Sequence, residues 1–137
     1  MKLSLKVEYA LRVLAQLGRY QGTSKLAHID SLAEAEEVPS NYLVQILNEL
    51  RNGGIITSRR GKQGGYALAK EPDVISLYDV MRVIDPGLFT SEPSRAGQSG
   101  AHVAQALTLI GSAFEEKAKG LTLRDLMPKD AGPMYYI

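Results

Sequence analysis

The sequence contains no cysteine, which excludes disulfides, thiolate-ligated zinc, cysteine-ligated iron–sulfur clusters and thiol redox chemistry. Its two histidines, His28 and His102, lie far apart in sequence without carboxylates or thiols at a metal-ligand spacing. Each therefore reads as a surface or packing residue rather than a ligand or a catalyst. Long apolar runs are missing too. The stretch MKLSLKVEYALRVLAQL interrupts its apolar positions with Lys2, Lys6, Glu8 and Arg12, so it lacks the unbroken core of a signal peptide. No other segment approaches the roughly 18 apolar residues that span a bilayer. The expectation is a soluble cytoplasmic protein with no membrane partner.

Catalytic and nucleotide-binding motifs are also lacking. A Walker A loop needs a glycine five residues before its Gly-Lys pair and Ser or Thr after it. Around Gly61-Lys62 those positions hold Ile56 and Gln63. There is no G-x-G-x-x-G, no G-x-S-x-G elbow and no H-E-x-x-H. Nothing supports an enzyme, a metal site or a cofactor.

What is present is an ordinary globular composition, 45% hydrophobic and 23% charged over 137 residues, the size of about one domain. The net charge of +1 hides an uneven distribution. Residues 1–25 set Lys2, Lys6, Arg12, Arg19 and Lys25 against Glu8, whereas Asp30, Glu34, Glu36 and Glu37 form an acidic block. Residues 49–62 are basic again through Arg51, Arg59, Arg60 and Lys62 against Glu49. Two basic segments that met on one face would suit a nucleic acid; scattered, they would be solvated surface charge.

Val7, Leu11, Leu14 and Leu17 recur at helical spacing from a Ser4 cap. A short second helix is expected through Ile29, Leu32, Ala33 and Glu36, capped by Asp30 or Ser31 and closed by Pro39. A third, capped by Ser40, carries Leu43, Ile46, Leu47 and Leu50 on one face and Asn41, Val44, Gln45 and Asn48 on the other, ending at Gly53-Gly54. Two short helices joined around a proline match a helix-turn-helix, a pattern that most helical pairs share without binding DNA. IITSR and YALAK then read as strands around the glycine-rich loop GKQGG. Ser76 and Asp79 form a capping box ahead of Leu77, Val80, Met81 and Ile84, with a stop at Asp85-Pro86. Residues 86–100, PGLFTSEPSRAGQSG, read as a flexible loop. Val103, Leu107, Ile110 and Phe114 stripe a long helix to about Lys119, suited to packing against a second copy or against its own core. Thr122 and Asp125 form another capping box.

A helix-turn-helix followed at once by a basic hairpin is far more specific than either half, because in a winged helix the second helix enters the major groove while the hairpin follows the backbone or minor groove. YALRVL, Ser40-Asn41-Tyr42-Leu43 with Gln45, LRNGGI, SRRGKQGGYALA, ISLYDVMRVID and LTLRDL together resemble the IscR/NsrR/CymR family of bacterial winged-helix transcription regulators. The resemblance covers nearly the whole chain, and R-G-x-x-G-G-Y is its most specific motif. It implies a mainly α fold with a small β-hairpin, a winged helix-turn-helix over residues 1–85, the flexible loop 86–100, and a dimerisation helix with a tail over 101–137. It also implies a homodimeric repressor on a palindromic operator in double-stranded DNA.

Carried onto this chain, the family pattern makes Ser40, Asn41, Tyr42, Val44 and Gln45 recognition-helix positions. Gln45 is the candidate for base readout, since an amide bonds adenine N6 and N7 together. Val44 departs from the polar residues often found there and offers only a thymine-methyl contact. Arg60 matches the wing arginine of the minor groove, with Arg59 and Lys62 on phosphates and Gly64 and Gly65 permitting close approach. Cluster-sensing relatives place three cysteines where this chain has PGLFTSEPSRAGQSGAH, so the resemblance points to the cluster-free branch that regulates cysteine metabolism, although His102 sits near a further ligand position of some relatives. The ending PMYYI resembles the tail of that branch, whose partner is cysteine synthase. Met134, Tyr135, Tyr136 and Ile137 either dock there through the terminal carboxylate or pack on the dimer body. Direct small-ligand sensing by the loop at 86–100, and a protein-interaction module without DNA binding, are the alternative readings.

Overall fold

A computed structural model describes residues 3–128, which form five α-helices and one two-stranded sheet. Helix α1 spans Leu5–Gly18, its start capped by the Ser4 hydroxyl, which accepts from the Val7 N–H. Val7, Leu14 and Leu17 of the expected stripe are buried together with Ala10 and Val13, while Leu11 is only partly buried against the core.

Helix α2 (Ile29–Glu36) and helix α3 (Ser40–Asn52) make the helix-turn-helix. The expected caps shift by one to three residues. His28 rather than Asp30 or Ser31 precedes α2, without a side-chain cap, which leaves the Asp30 carboxylate in the first turn, where the helix dipole favours it. Pro39 rather than Ser40 opens α3, its carbonyl accepting from the Tyr42 and Leu43 N–H groups at 3.0 and 2.9 Å. Between the helices Glu37 adopts a left-handed conformation, φ 53° and ψ 49°, turning the chain so that Val38 is buried. Leu43, Ile46, Leu47 and Leu50 of α3 are fully buried in the core shared with α1 and α2. Each such side chain contributes about 1.5–3 kcal/mol through removal from water.

Strand β1 (Ile56–Arg59) pairs antiparallel with β2 (Gly65–Leu68), Ile56 opposite Leu68 and Arg59 opposite Gly65. The inner ends, Ile56 and Leu68, are buried and the outer ends run into solvent. A bridge from Ala27 to Tyr66, made by reciprocal backbone bonds of 3.0 and 2.8 Å, fastens the hairpin to the segment before α2.

Helix α4 (Leu77–Ile84) carries the expected Ser76–Asp79 capping box. Residues 86–100 are not featureless: Pro86–Leu88 form a 3-10 turn, and the Phe89 ring lies between Tyr78 of α4 (centroids 4.8 Å) and Phe114 (5.3 Å). Helix α5 (Gly100–Gly120) is one 21-residue helix. After it, Leu121 and Leu123 bond back to Leu77 and Ile75, the Thr122–Asp125 capping box forms, and Leu123 is buried. No helix among the described residues is long and apolar enough to cross a membrane.

Candidate nucleic-acid interface

The amphipathic pattern of α3 leaves its second face open. Ser40, Asn41, Tyr42, Val44, Gln45 and Asn48 are all exposed, with Val44 at 48% and Tyr42 at 43% of full exposure. Exposed apolar residues in the middle of a polar helix face suit contact with a surface that has its own apolar points, as the thymine methyl does in the major groove. Asn48 is partly engaged, accepting from the Arg51 guanidinium at 3.2 Å.

Two contacts hold α3 against α1. The Lys6 ammonium lies 2.8 and 2.6 Å from the two carboxylate oxygens of Glu49, a partly buried pair. At the other end of α3, Tyr42 meets Tyr9 edge to face at 5.7 Å, and the Arg12 guanidinium lies over the Tyr9 ring at 5.0 Å. Arg12 is exposed, so a cation stands on the ring that supports the first turn of the recognition helix. Sequence reading missed this residue's place. It follows from Tyr9 and Arg12 being three apart on α1, a spacing that puts both on one face.

The hairpin presents Arg59, Arg60 and Lys62 to solvent. A cleft of about 560 Å³ separates the outer end of the hairpin from the start of α2, and Arg59 and Lys62 share this cleft with Lys25 and His28. Lys25 and His28 were not legible as interface residues, because they sit about thirty residues upstream and meet the wing only through the Ala27–Tyr66 bridge. Among the described residues, the ion pairs are Lys6–Glu49, Lys119–Glu115 and Arg124–Asp73, so Arg12, Lys25, Arg59, Arg60 and Lys62 have no carboxylate partner there. Several unneutralised cations around one cleft make a positive surface to which a polyanion is drawn.

The glycines need a correction. Gly64 is buried in the turn, where a Cβ would collide with the Arg59 carbonyl, so it shapes the wing rather than offering a surface. Gly65 has φ +149°, and a Cβ there would come within 2.6 Å of the Ala27 carbonyl oxygen. Its close approach is to the chain's own backbone.

Of the stripe on α5, Val103, Leu107 and Ile110 are exposed at 53, 50 and 66%, joined by Leu109 at 66%. Phe114 departs from them and turns inward onto Phe89. The helix's buried positions are Gly100, Ala104 and Ala118, small residues that let α5 lie close to the domain and so rotate the larger side chains outward. Met134, Tyr135, Tyr136 and Ile137 lie outside the described residues.

A helix-turn-helix whose second helix shows an amide-bearing face, followed by a cationic two-stranded wing, defines a winged-helix DNA-binding protein. The sequence profile of the Rrf2 family, described as an iron-dependent transcriptional regulator, matches residues 3–129; the chain belongs to this family. CymR of Bacillus subtilis is 36% identical over the full length of both chains. A helix-turn-helix transcriptional regulator of Mycobacterium tuberculosis is 41% identical over 85 residues, 62% of this chain and 52% of that protein, so the match spans about half the length of that relative. Among solved structures, CymR, the global cysteine regulator of B. subtilis, superposes with a TM-score of 0.80 at 30% identity, over 92% of this chain and 95% of that one. T. potens IscR superposes with 0.78 at 29% identity, over 99 and 97%. The protein is therefore a DNA-binding transcription regulator, of a family whose matched members are regulators and not enzymes.

The family description names iron. In this chain the donor set does not fit it: there is no cysteine, and among the described residues no three His, Cys, Asp or Glu side chains converge. An iron–sulfur cluster needs thiolates, with histidine replacing some of them.

Proposed function

We propose that the chain acts in the cytoplasm as a homodimeric repressor that binds a palindromic operator. Each recognition helix would read a half-site through Gln45, with Ser40, Asn41, Tyr42 and Val44 beside it, while Arg60 probes the minor groove and Arg59 and Lys62 neutralise phosphates. The observation that carries this reading is the group of five cations without carboxylate partners among the described residues: Lys25, Arg59 and Lys62 around the wing cleft, Arg60 exposed on the wing, and Arg12 over the Tyr9 ring that meets Tyr42. The exposed stripe Val103, Leu107 and Ile110 supports pairing through α5, since a contiguous apolar face on a long helix is stabilised by a second copy.

Full-length similarity to the B. subtilis cysteine regulator supports control of cysteine metabolism without a cluster. The tail Met134 to Ile137 is proposed to engage cysteine synthase through its terminal carboxylate, on the strength of its resemblance to the tails of that branch. A pull-down in which removal of Ile137 leaves synthase binding unchanged would reject this part.

Genome-wide selection of bound DNA tests the main reading, and sites beside genes of sulfur metabolism are expected. On a selected operator, Arg60→Ala with Gln45→Ala is expected to lower affinity at least about thirtyfold, each good base contact being worth about 1–3 kcal/mol. Unchanged affinity would refute the assignments, and no binding to any duplex at low salt would reject the function.

A further inference from the structure

Four basic side chains line the wing cleft, and one of them, His28, belongs to the residue type whose charge changes near neutral pH. Imidazole titrates between about pH 5 and 8, whereas the side chains of lysine and arginine carry their charge throughout that range. We infer that His28 contacts a DNA phosphate from the start of α2, so that operator binding takes up a proton and strengthens as pH falls. This rests on the reading of the cleft as part of the DNA interface.

The lining suits an anion. Its fixed cations are Lys25, from the segment before α2, and Arg59 and Lys62, from the outer end of the hairpin; no acidic residue lines it. Neutral donors stand among them, the hydroxyls of Tyr20 and Ser31 and the amide of Gln63. The carboxylate nearest in sequence, Asp30, follows two residues along α2 and is not part of the cleft. Among the described residues, no ion pair involves His28. Its ring is exposed and makes no capping bond to α2, so folding leaves it free for a ligand.

The two walls are also locked together. Ala27, the residue before His28, is buried and exchanges backbone bonds of 3.0 and 2.8 Å with Tyr66 of β2. The place of His28 relative to the hairpin is therefore set before DNA arrives. In a helix-turn-helix the first helix of the pair crosses the DNA backbone, so a strand held by Arg59 and Lys62 passes the start of α2. A phosphate beside an imidazole favours the imidazolium, and by linkage the imidazolium favours the phosphate by the same factor. The contact is thus strongest at low pH and is lost as the ring gives up its proton.

The test follows the full chain binding to a duplex obtained by genome-wide selection, by fluorescence anisotropy at fixed salt from about pH 8 to about pH 6. Affinity is expected to rise about threefold to tenfold over that interval, as a change of up to about one pKa unit on binding would produce. His28→Gln keeps a hydrogen-bonding side chain without a titrating charge. It should match the parent at the upper pH, which shows that the fold is kept, and lose the rise. His28→Lys should bind tightly at both ends, and His102→Gln, on α5, should keep the rise. An unrelated duplex at low salt should show the same slope, because phosphate contacts carry no sequence information. A flat profile in the parent, or a rise that survives His28→Gln, would overturn this inference and leave the operator reading intact. Absence of binding to any duplex at any pH would overturn both.

Discussion

The edge of one tyrosine ring meets the face of another where α1 crosses the start of α3: Tyr9 and Tyr42 have centroids 5.7 Å apart and planes 76° apart. Tyr42 is a recognition-helix residue, so Tyr9 is a positioning residue behind it. Tyr9→Leu keeps the apolar volume in part but removes the ring contact and the platform under Arg12. The expected cost is about 0.5–1.5 kcal/mol of stability, measured by urea unfolding. Operator affinity should fall further than stability does, and Tyr9→Phe should restore both, which separates ring packing from the hydroxyl.

The wing depends on one backbone approach. Gly65→Ala would place a methyl within 2.6 Å of the Ala27 carbonyl at a φ of +149°, and the backbone must shift to avoid it. The loss is expected to be about 1–3 kcal/mol. Hydrogen exchange at Ala27 and Tyr66, whose N–H groups form the bridge, should quicken more than exchange in α1. Equal protection in variant and parent would show that the bridge tolerates the methyl.

Glu37 holds a left-handed conformation in the turn of the helix-turn-helix, at φ 53°. Left-handed backbone costs a side-chain-bearing residue about 1–2 kcal/mol, and glycine gives back about 0.4–1 kcal/mol through the freer unfolded chain. Glu37→Gly should therefore stabilise the protein by about 0.5–1 kcal/mol, seen as a higher urea midpoint at an unchanged slope. A lower midpoint would mean that the Glu37 side chain contributes more than its conformation costs.

Ile110 is 66% exposed on α5. A charge at the centre of an apolar contact between copies would be desolvated without a partner, so Ile110→Asp is expected to shift the protein to monomer in sedimentation experiments. Folding should persist, because the side chain touches no buried core. Operator affinity should drop with the loss of the second half-site. A dimer that survives this change would place the interface elsewhere on the chain.

Much of this architecture was legible because helical periodicity is a property of each segment alone. The stripe Leu43, Ile46, Leu47 and Leu50 predicted which side of α3 is buried, and the Ser76–Asp79 and Thr122–Asp125 boxes formed where the spacing places them. The cap of α3 was misplaced because the turn before it is set by Glu37 and by burial of Val38, which depend on how the two helices pack, whereas α2 begins directly after Ala27, which the bridge to Tyr66 holds in place. Phe114 shares the spacing of Val103, Leu107 and Ile110, so sequence alone grouped all four; the Phe89 ring, brought over by the 3-10 turn at 86–88, drew it inward.

By itself the sequence determined the absence of thiolate chemistry, the helices with their apolar faces, the cationic hairpin and the family pattern, because each depends on residue identity and on spacing along a single element. Tertiary structure alone decided that Gly64 and Gly65 serve the wing's shape, that Arg12 lies over the Tyr9 ring behind Tyr42, and that Lys25 and His28 share a cleft with the wing. Those facts are distances between segments far apart in the chain, settled only once the shared core has packed and left some cations without partners.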